Sequence, residues 1–411
     1  MIQKVLLLCL SISILFADIA LQGHVELQSQ AYLNHPQGKH SYNNTAFAQV
    51  EATYTNENLE AILKASAQGD YYDLKSEAEK NRRSFVRLDE AYVKYDFDDA
   101  QVMAGKSIRF WGALEVDNIV DGFNPDDFRS ELFNMDKLGV YNAAYTYYTD
   151  TGELSFILKS GEPDQKMAAF PYVYYFFPAN VNYDANLQSE KNRYRPTIYL
   201  SYSGSTDTQY ALDYAFILQN GYDSQHYFTS DAPITSPRPT FTNHVYLVNK
   251  AMSYNTLVVG STLLKLEALY ADVINDKTVS DYYHLGLGVE HTLTQVYKNA
   301  DLGILCEYYK YHTLEDGKYT DLQLFETFQN DLFLGLRYSF NEGDDASIIG
   351  GVIADLDYAE QSYYIEYESR IAQTLKLNLD YRYIEPSQTT LTAFNLLGRH
   401  QRLSLKLGYY F

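Results

Sequence analysis

The chain has 411 residues, with 53 acidic against 32 basic side chains and a formal net charge of −21. That balance excludes a polyanion such as nucleic acid as partner, because no basic face stands out to neutralise phosphates. Of two cysteines, Cys9 lies in the N-terminal apolar run and Cys306 stands alone after it, which excludes an internal disulfide. No linker or composition break interrupts the chain, which favours one large all-β unit over a string of domains.

The first stretch, "MIQKVLLLCLSISILFA", places Lys4 before an apolar run from Val5 to Phe16 and a small residue, Ala17. Residues 1–17 are expected to be a secretory signal peptide, with 18–411 as the mature chain outside the cytoplasm. The run is too short for a spanning helix, and no later stretch reaches that length.

From there, apolar and polar residues alternate at period two, segment after segment. In "LQGHVELQSQAYL", Leu21, Val25 and Leu27 oppose Gln22, His24, Glu26 and Gln28, and "AFAQVEATYT" repeats the pattern. "NLEAILKASAQG" fits a strand or an amphipathic helix with Leu59, Ile62, Leu63 and Ser66 on one face. The alternation returns in "TLVVGSTLLKLEALY", "YYHLGLGVEHTL", "ADLGILCEYYKY", "DLFLGLRYSF" and "TLKLNLDYRY". The expected strand number is about eighteen, with about sixteen also compatible.

Connections alternate short and long. Short ones are expected at 55–58, 98–99, 149–152, 204–208, 253–255 ("SYN") and 341–345. Long polar ones are expected near 33–44, 70–84, 112–136, 161–193, 220–241, 272–281, 312–324 and 386–398. All ten prolines fall in long connections or at a strand start, as they must if the strands are laddered. Together these features predict a transmembrane antiparallel β-barrel with short periplasmic turns and long extracellular loops. Charged residues on the polar face, among them Glu51, Lys64, Glu267, Glu290, Glu307 and Arg337, are then expected to face the lumen. Tyr54, Tyr95, Tyr148, Tyr338, Tyr358 and Tyr409 are expected in interfacial girdles. A soluble sandwich shows the same alternation, but it explains neither the leader nor the chain end.

The chain stops on "RLSLKLGYYF", still alternating, with Leu403, Leu405, Leu407, Tyr409 and Phe411 on one face. An alternating last strand ending in Phe411 resembles the C-terminal signal by which bacterial outer-membrane barrels are recognised for assembly. That resemblance implies the barrel assembly machinery as a partner, and a last strand that pairs with the first.

The third long connection contains "GKSIRFWGALEVDNIVDGFNPDDFRSELF". Gly105, Arg109, Trp111, Gly112, Asp117, Val120, Asp121, Asn124, Pro125 and Asp126 resemble the G-(K/R)…WG…D…VD…NP-x-D pattern of a largely uncharacterised family of porin-like proteobacterial outer-membrane barrels. The resemblance spans about thirty residues and implies a channel or transporter without naming its solute. Passive diffusion of small hydrophilic solutes is the expected function, and a structural or adhesive barrel with an occluded lumen is the alternative.

In porins the third loop often narrows the lumen, so residues 112–136 are the expected constriction. Glu115, Asp117, Asp121, Asp126, Asp127, Glu131 and Asp136 outnumber Arg109, Arg129 and Lys137 there. Arg370, Lys376, Arg382, Arg402 and Lys406, on the last three strands, are the expected basic wall, diluted by glutamates 366 and 368. Opposed rows of this kind set up a transverse field. The loop carboxylates match no EF-hand spacing, so no metal is expected. Trp111 fits a sugar platform or a packing anchor. The aromatic run "AAFPYVYYFFPANVNY" fits a slide for sugars or hydrophobic molecules, or packing over the mouth or on a neighbouring protomer. His291 is followed by Thr292 and Leu293 rather than by the His-x-Ser of membrane phospholipases, and no cofactor or catalytic spacing stands out. The remaining expected partners are outer-membrane lipid and lipopolysaccharide, with an oligomer left open.

Overall fold

A sheet exposed to lipid must pair every backbone N–H and C=O within itself, because hydrocarbon supplies no substitute partner. The computed structural model meets that demand by closure. It describes residues 19–411 except 76–79, 132–134, 190, 207–209, 234, 277, 316–325 and 391. The leader expected at 1–17 lies outside the described residues.

The strands begin with β1 (Ile19–Asn34), β2 (Tyr42–Asn56), β3 (Leu59–Asp70), β4 (Phe85–Asp96), β5 (Ala100–Ser107), β6 (Val140–Thr149) and β7 (Gly152–Lys159). They continue with β8 (Asn182–Ser189), β9 (Thr197–Thr206), β10 (Ala211–Tyr222), β11 (Tyr227–Ser230), β12 (Thr240–Val245), β13 (Leu247–Val259) and β14 (Thr262–Val273). The last seven are β15 (Tyr282–Tyr297), β16 (Ala300–Thr313), β17 (Asn330–Ser339), β18 (Ser347–Asp355), β19 (Gln361–Ala372), β20 (Leu375–Glu385) and β21 (His400–Tyr410). Among the described residues, two single-turn helices, α1 (Tyr71–Lys75) and α2 (Ala393–Leu397), sit in connections.

Eighteen strands form one antiparallel sheet, each paired with its neighbour in chain order once β8, β11 and β12 are set aside. Those three make a small separate sheet, with β12 parallel to β8. The barrel closes where β21 pairs with β1, from His24 opposite Tyr410 to Asn34 opposite Gln401. Phe411 itself exchanges two backbone hydrogen bonds with Gly23, each 2.9 Å. The segment that fits strand or helix is β3, because its partners on β2 and β4 give period two the full ladder.

Connections at one end are turns such as 57–58, 150–151, 260–261 and 373–374. At the other end lie nine loops, at 35–41, 71–84, 108–139, 160–196, 223–246, 274–281, 314–329, 356–360 and 386–399, numbered here loop 1 to loop 9. Three expectations need correction. "SYN" at 253–255 is no turn but mid-strand in β13, where Ser253 and Asn255 satisfy each other (2.9 Å) on one face and Tyr254 packs on the interior cluster. The turn comes after Val259, at Gly260 with φ +60°. Tyr358 belongs to loop 8 rather than to a strand end, and His244, expected to point inward from a strand like His24 and His284, lies in β12, off the barrel wall.

The outward face is apolar. Leu27 is 59% exposed and Leu405 46%, whereas Gln30 and Ser404, on the opposite face of the same strands, are buried. Inward charges are paired across strands, as in Lys64 with Glu51 (3.3 Å) and Glu90 (3.7 Å), or Lys265 with Glu290 (3.1 Å). At the closing seam, a Cβ on Gly23 would lie 2.5 Å from the Gln49 carbonyl and 2.9 Å from the Phe411 ring. Gly23→Val is therefore expected to cost about 1–3 kcal/mol through crowding. The check is the temperature at which the folded band converts to the unfolded one on a detergent gel, which should fall in the variant.

Candidate functional site

The lumen is organised by loop 3, and the motif residues explain how that loop holds its shape. Gly105 lies where a Cβ would fall 2.3 Å from the Ala91 carbonyl, at φ +142°, so only glycine lets β5 approach β4 there. Asn124 braces both roots of the loop. Its Nδ2 donates to the Ser107 carbonyl (3.1 Å) and the Leu138 carbonyl (2.9 Å), and its Oδ1 accepts from Arg109 N (2.8 Å). The Pro125 carbonyl accepts from Leu138 N, Asp127 N donates to the Asp136 carbonyl, and Lys137 Nζ stands 3.0 Å from Asp126 and 3.4 Å from Asp121. Asp121 also caps Trp111 N (3.2 Å). Trp111 meets Phe123 and Tyr199 edge-on at 5.4 Å, and Gly112 leaves room for Asn118. Trp111 is thus a buried packing anchor rather than an open platform.

The far wall captures the loop through side chains whose partners only the fold brings near. Glu267 on β14 accepts from Ala113 N (2.6 Å), Leu114 N (3.1 Å) and Val120 N (3.3 Å). Glu307 on β16 accepts from Glu115 N (2.7 Å) and Val116 N (3.1 Å). The Tyr309 hydroxyl accepts from Asp117 N (3.1 Å) while donating to Glu307 (2.7 Å). Arg337 on β17 bridges Glu115 (2.5 Å) and Glu290 (2.8 Å). The Leu114 side chain drops onto β15 at Gly286 and Gly288, where a Cβ would meet it at 2.4 Å and 2.8 Å. Sequence reasoning counted Glu267, Glu307 and Arg337 only as inward charges. The signal it missed is the inward Gly-x-Gly of "LGLGVE", a space cleared for an incoming side chain.

Loop 3 divides the interior. On one side Trp111, Val120 and Phe123 fuse with wall residues such as Ile157, Tyr199, Val248 and Tyr282 into an apolar cluster. On the other side a cavity of about 560 Å3 remains between the loop and strands β18–β21 and β1–β3.

Of the expected acidic residues, Glu115 and Glu131 line this cavity, joined by Asp136. Asp121 and Asp126 turn to Lys137, and Asp117 lies with its backbone on Tyr309. Asp127 is buried between Arg87 (2.7 Å) and Arg129 (2.6 Å). Of the expected basic wall, Lys376, Arg382, Arg402 and Lys406 line the cavity. Arg370 sits at the turn end, against Asp345 (3.0 Å). The two rows meet: Arg402 pairs with both Glu131 of loop 3 and Asp380 of β20. Gln28 and Gln30 also donate to Glu131.

Loop 4 crosses above. Its Tyr172, Val173 and Tyr174 are buried against Tyr32, Ile384, Phe394 and Leu397, and Tyr174 reaches the cavity. Lys39 Nζ holds the segment through the carbonyls of Val173 (3.0 Å) and Tyr175 (2.7 Å). The aromatic run therefore packs into the barrel mouth, and its remainder, Tyr175 and Phe177, packs with Phe228 and Phe241 of loop 5.

No family model and no curated protein matches the chain. Solved structures do. OpdL of Pseudomonas aeruginosa is 10% identical with a TM-score of 0.53, covering 96% of this chain and 99% of that one. OmpT, an outer-membrane protein of Vibrio cholerae, is 11% identical (TM-score 0.47; 96% and 97% covered). A triple mutant of the Rhodopseudomonas blastica porin is 12% identical (TM-score 0.43; 96% and 100% covered). At such identities the likeness is one of fold. The fold is that of a bacterial outer-membrane β-barrel, closed with eighteen strands.

Trp111 is the chain's single tryptophan and sits in loop 3, so its fluorescence reports docking. Exchanging both wall carboxylates, Glu267→Gln with Glu307→Gln, weakens bonds from five backbone N–H groups, each worth about 1.5–3 kcal/mol when the acceptor is charged. The expected result is red-shifted, more quenchable Trp111 emission from a barrel that remains folded by circular dichroism.

Burial pushes the Asp117 carboxyl up to about 6, against the opposing pull of Lys137. Burial also raises Asp121 and Asp126. A docked carboxyl with a raised pKa holds a proton that the released loop has already lost, so docking weakens as pH rises from about 4 to about 6. Trp111 emission should therefore resist denaturant better at about pH 4.5 than at about pH 7. Asp117→Asn should flatten that difference.

Proposed function

We propose that the barrel is an outer-membrane channel for passive diffusion of small hydrophilic solutes. One observation carries the reading: a polar cavity, lined by both signs of charge, runs beside a third loop fixed to the wall at both its margins. A purely structural barrel has no need to hold a polar passage open between an apolar filling and a charged wall. On this reading residues 1–17 direct export, the β21 strand ending in Phe411 presents the assembly signal, the turns face the periplasm, and the outer face meets lipid and lipopolysaccharide. The constriction lies where Glu115 and Glu131 of loop 3 face Arg382, Arg402, Lys376 and Lys406.

The packing of Tyr172 and Tyr174 over the mouth favours a second reading, a barrel occluded at the loop end. Single-channel recording of the refolded protein in a planar bilayer separates the two. Stable open steps are expected, and silence from a folded barrel would leave the occluded reading. Under a salt gradient, Glu131→Gln should move the reversal potential toward anions and Arg402→Gln toward cations, each by a few millivolts, the scale of one partly solvated charge.

A further inference from the structure

Register in the wall facing loop 3 orders the cavity charges in a way that spacing along one strand does not reveal. Across β19, β20, β21 and β1, residues directly opposite one another form rungs perpendicular to the strands. The rung nearest the loops joins Tyr364, Arg382, Arg402 and Tyr32, and carries two guanidinium groups. The next joins Glu366, Asp380, Ser404 and Gln30, and carries two carboxylates. The third joins Glu368, Asn378, Lys406 and Gln28, one charge of each sign. The fourth joins Arg370, Lys376, Gly408 and Glu26, two cations and one carboxylate.

Both signs of charge are therefore interleaved on this wall: two cations, then two carboxylates, then two rungs of mixed sign. Inward residues recur every second position, about 6.8 Å along a strand, and barrel tilt shortens that to roughly 5 Å along the axis. Toward the turn end the pairs are open to exchange. Lys376 with Glu368 (2.6 Å) is about one-third exposed on both sides, and Lys406 stands 3.7 Å from Glu26. Nearer the loops, Arg402 is buried and committed to Glu131 and Asp380.

We infer that the channel favours solutes carrying both charges a few ångströms apart, namely α-amino acids and dipeptides. This rests on the channel reading above. A singly charged solute meets attraction and repulsion together along this wall, and pairing with one partner of an ion pair leaves the other partner alone. A neutral polyol exchanges no partner with the wall and must leave the ion pairs intact. A zwitterion trades partner for partner: its carboxylate takes Lys376 or Lys406 while its ammonium takes Glu368, Glu366 or Glu26, and no wall charge is left alone. Aromatic faces beside these rungs, Tyr410 and Phe47, offer the ammonium a further site.

The test is solute entry into liposomes carrying the folded barrel, with alanyl-alanine, a neutral polyol of similar size, a dicarboxylate and a diamine, alongside potassium chloride conductance of the same preparation. Alanyl-alanine should enter faster than each of the other three by on the order of fivefold, the effect of one partly solvated ion pair. Lys376→Gln with Lys406→Gln should remove most of that preference. Conductance together with equal entry of polyol and dipeptide, or with fastest entry of a singly signed solute, overturns the inference and leaves the channel standing. Absence of both conductance and entry overturns the channel reading, and the inference with it. An unchanged dipeptide preference in the double variant also overturns the inference, because the preference would then arise away from these rungs.

Discussion

Every feature of this molecule follows from the requirement that a sheet in hydrocarbon leave no backbone group unpaired. Closure of β21 on β1, continued to the final residue by Phe411 and Gly23, is the direct answer. Once the ladder is a ring, side chains have only two destinations. Leucines predominate outward, and most charged residues within the strands point inward, where crowding forces them into pairs such as Lys64 with Glu51 and Glu90.

An eighteen-stranded ring is too wide for wall side chains alone to fill, and the chain fills it with its own backbone. Folding a loop into that space leaves its N–H groups without partners, a cost the wall offsets by placing carboxylates beneath them. Glu267 and Glu307 each accept several of these groups, and the apolar residues between them, Leu114, Val120 and Phe123, bury against strands that present glycine or aromatic faces. With Glu267 and Glu307 holding the loop to β14 and β16, the apolar filling gathers against β5–β17. The polar cavity lies on the other side, against β18–β21 and β1–β3.

The parts of this that were legible in the sequence are those that depend on near neighbours. Period-two alternation, proline placement and the alternating last strand give the barrel, because each is a local consequence of a pleated, laddered backbone. "SYN" misleads because turn-forming residues on an outward face can satisfy one another, as Ser253 and Asn255 do. Asn124 and Pro125 stand out as a motif, yet their work as a brace between Ser107, Arg109 and Leu138 needs both roots of the loop in view. Glu267 and Glu307 are 147 to 192 residues from the amides they accept, so no pattern along the chain connects them. The two charge rows show the same limit. As sequence they are opposed and free, but in space Asp121, Asp126 and Asp127 turn to cations within or beside their own loop, while Glu131 reaches the wall.

That last contact makes wall and loop mutually dependent. Arg382 and Arg402 lie directly opposite on adjacent strands, a like-charge pair that would repel if left alone. Arg382 lies over the Tyr364 ring at 5.2 Å, and Arg402 is held by Asp380 and by Glu131 of loop 3. Two guanidinium groups therefore share one rung with the help of a carboxylate from the wall and another from the loop. The loop in turn gains, at its return limb, an anchor on the opposite side of the barrel from Glu267 and Glu307. The loop is thus not laid inside a finished barrel: the wall's charges are fully paired only with the loop in place, and the cavity takes its shape from both.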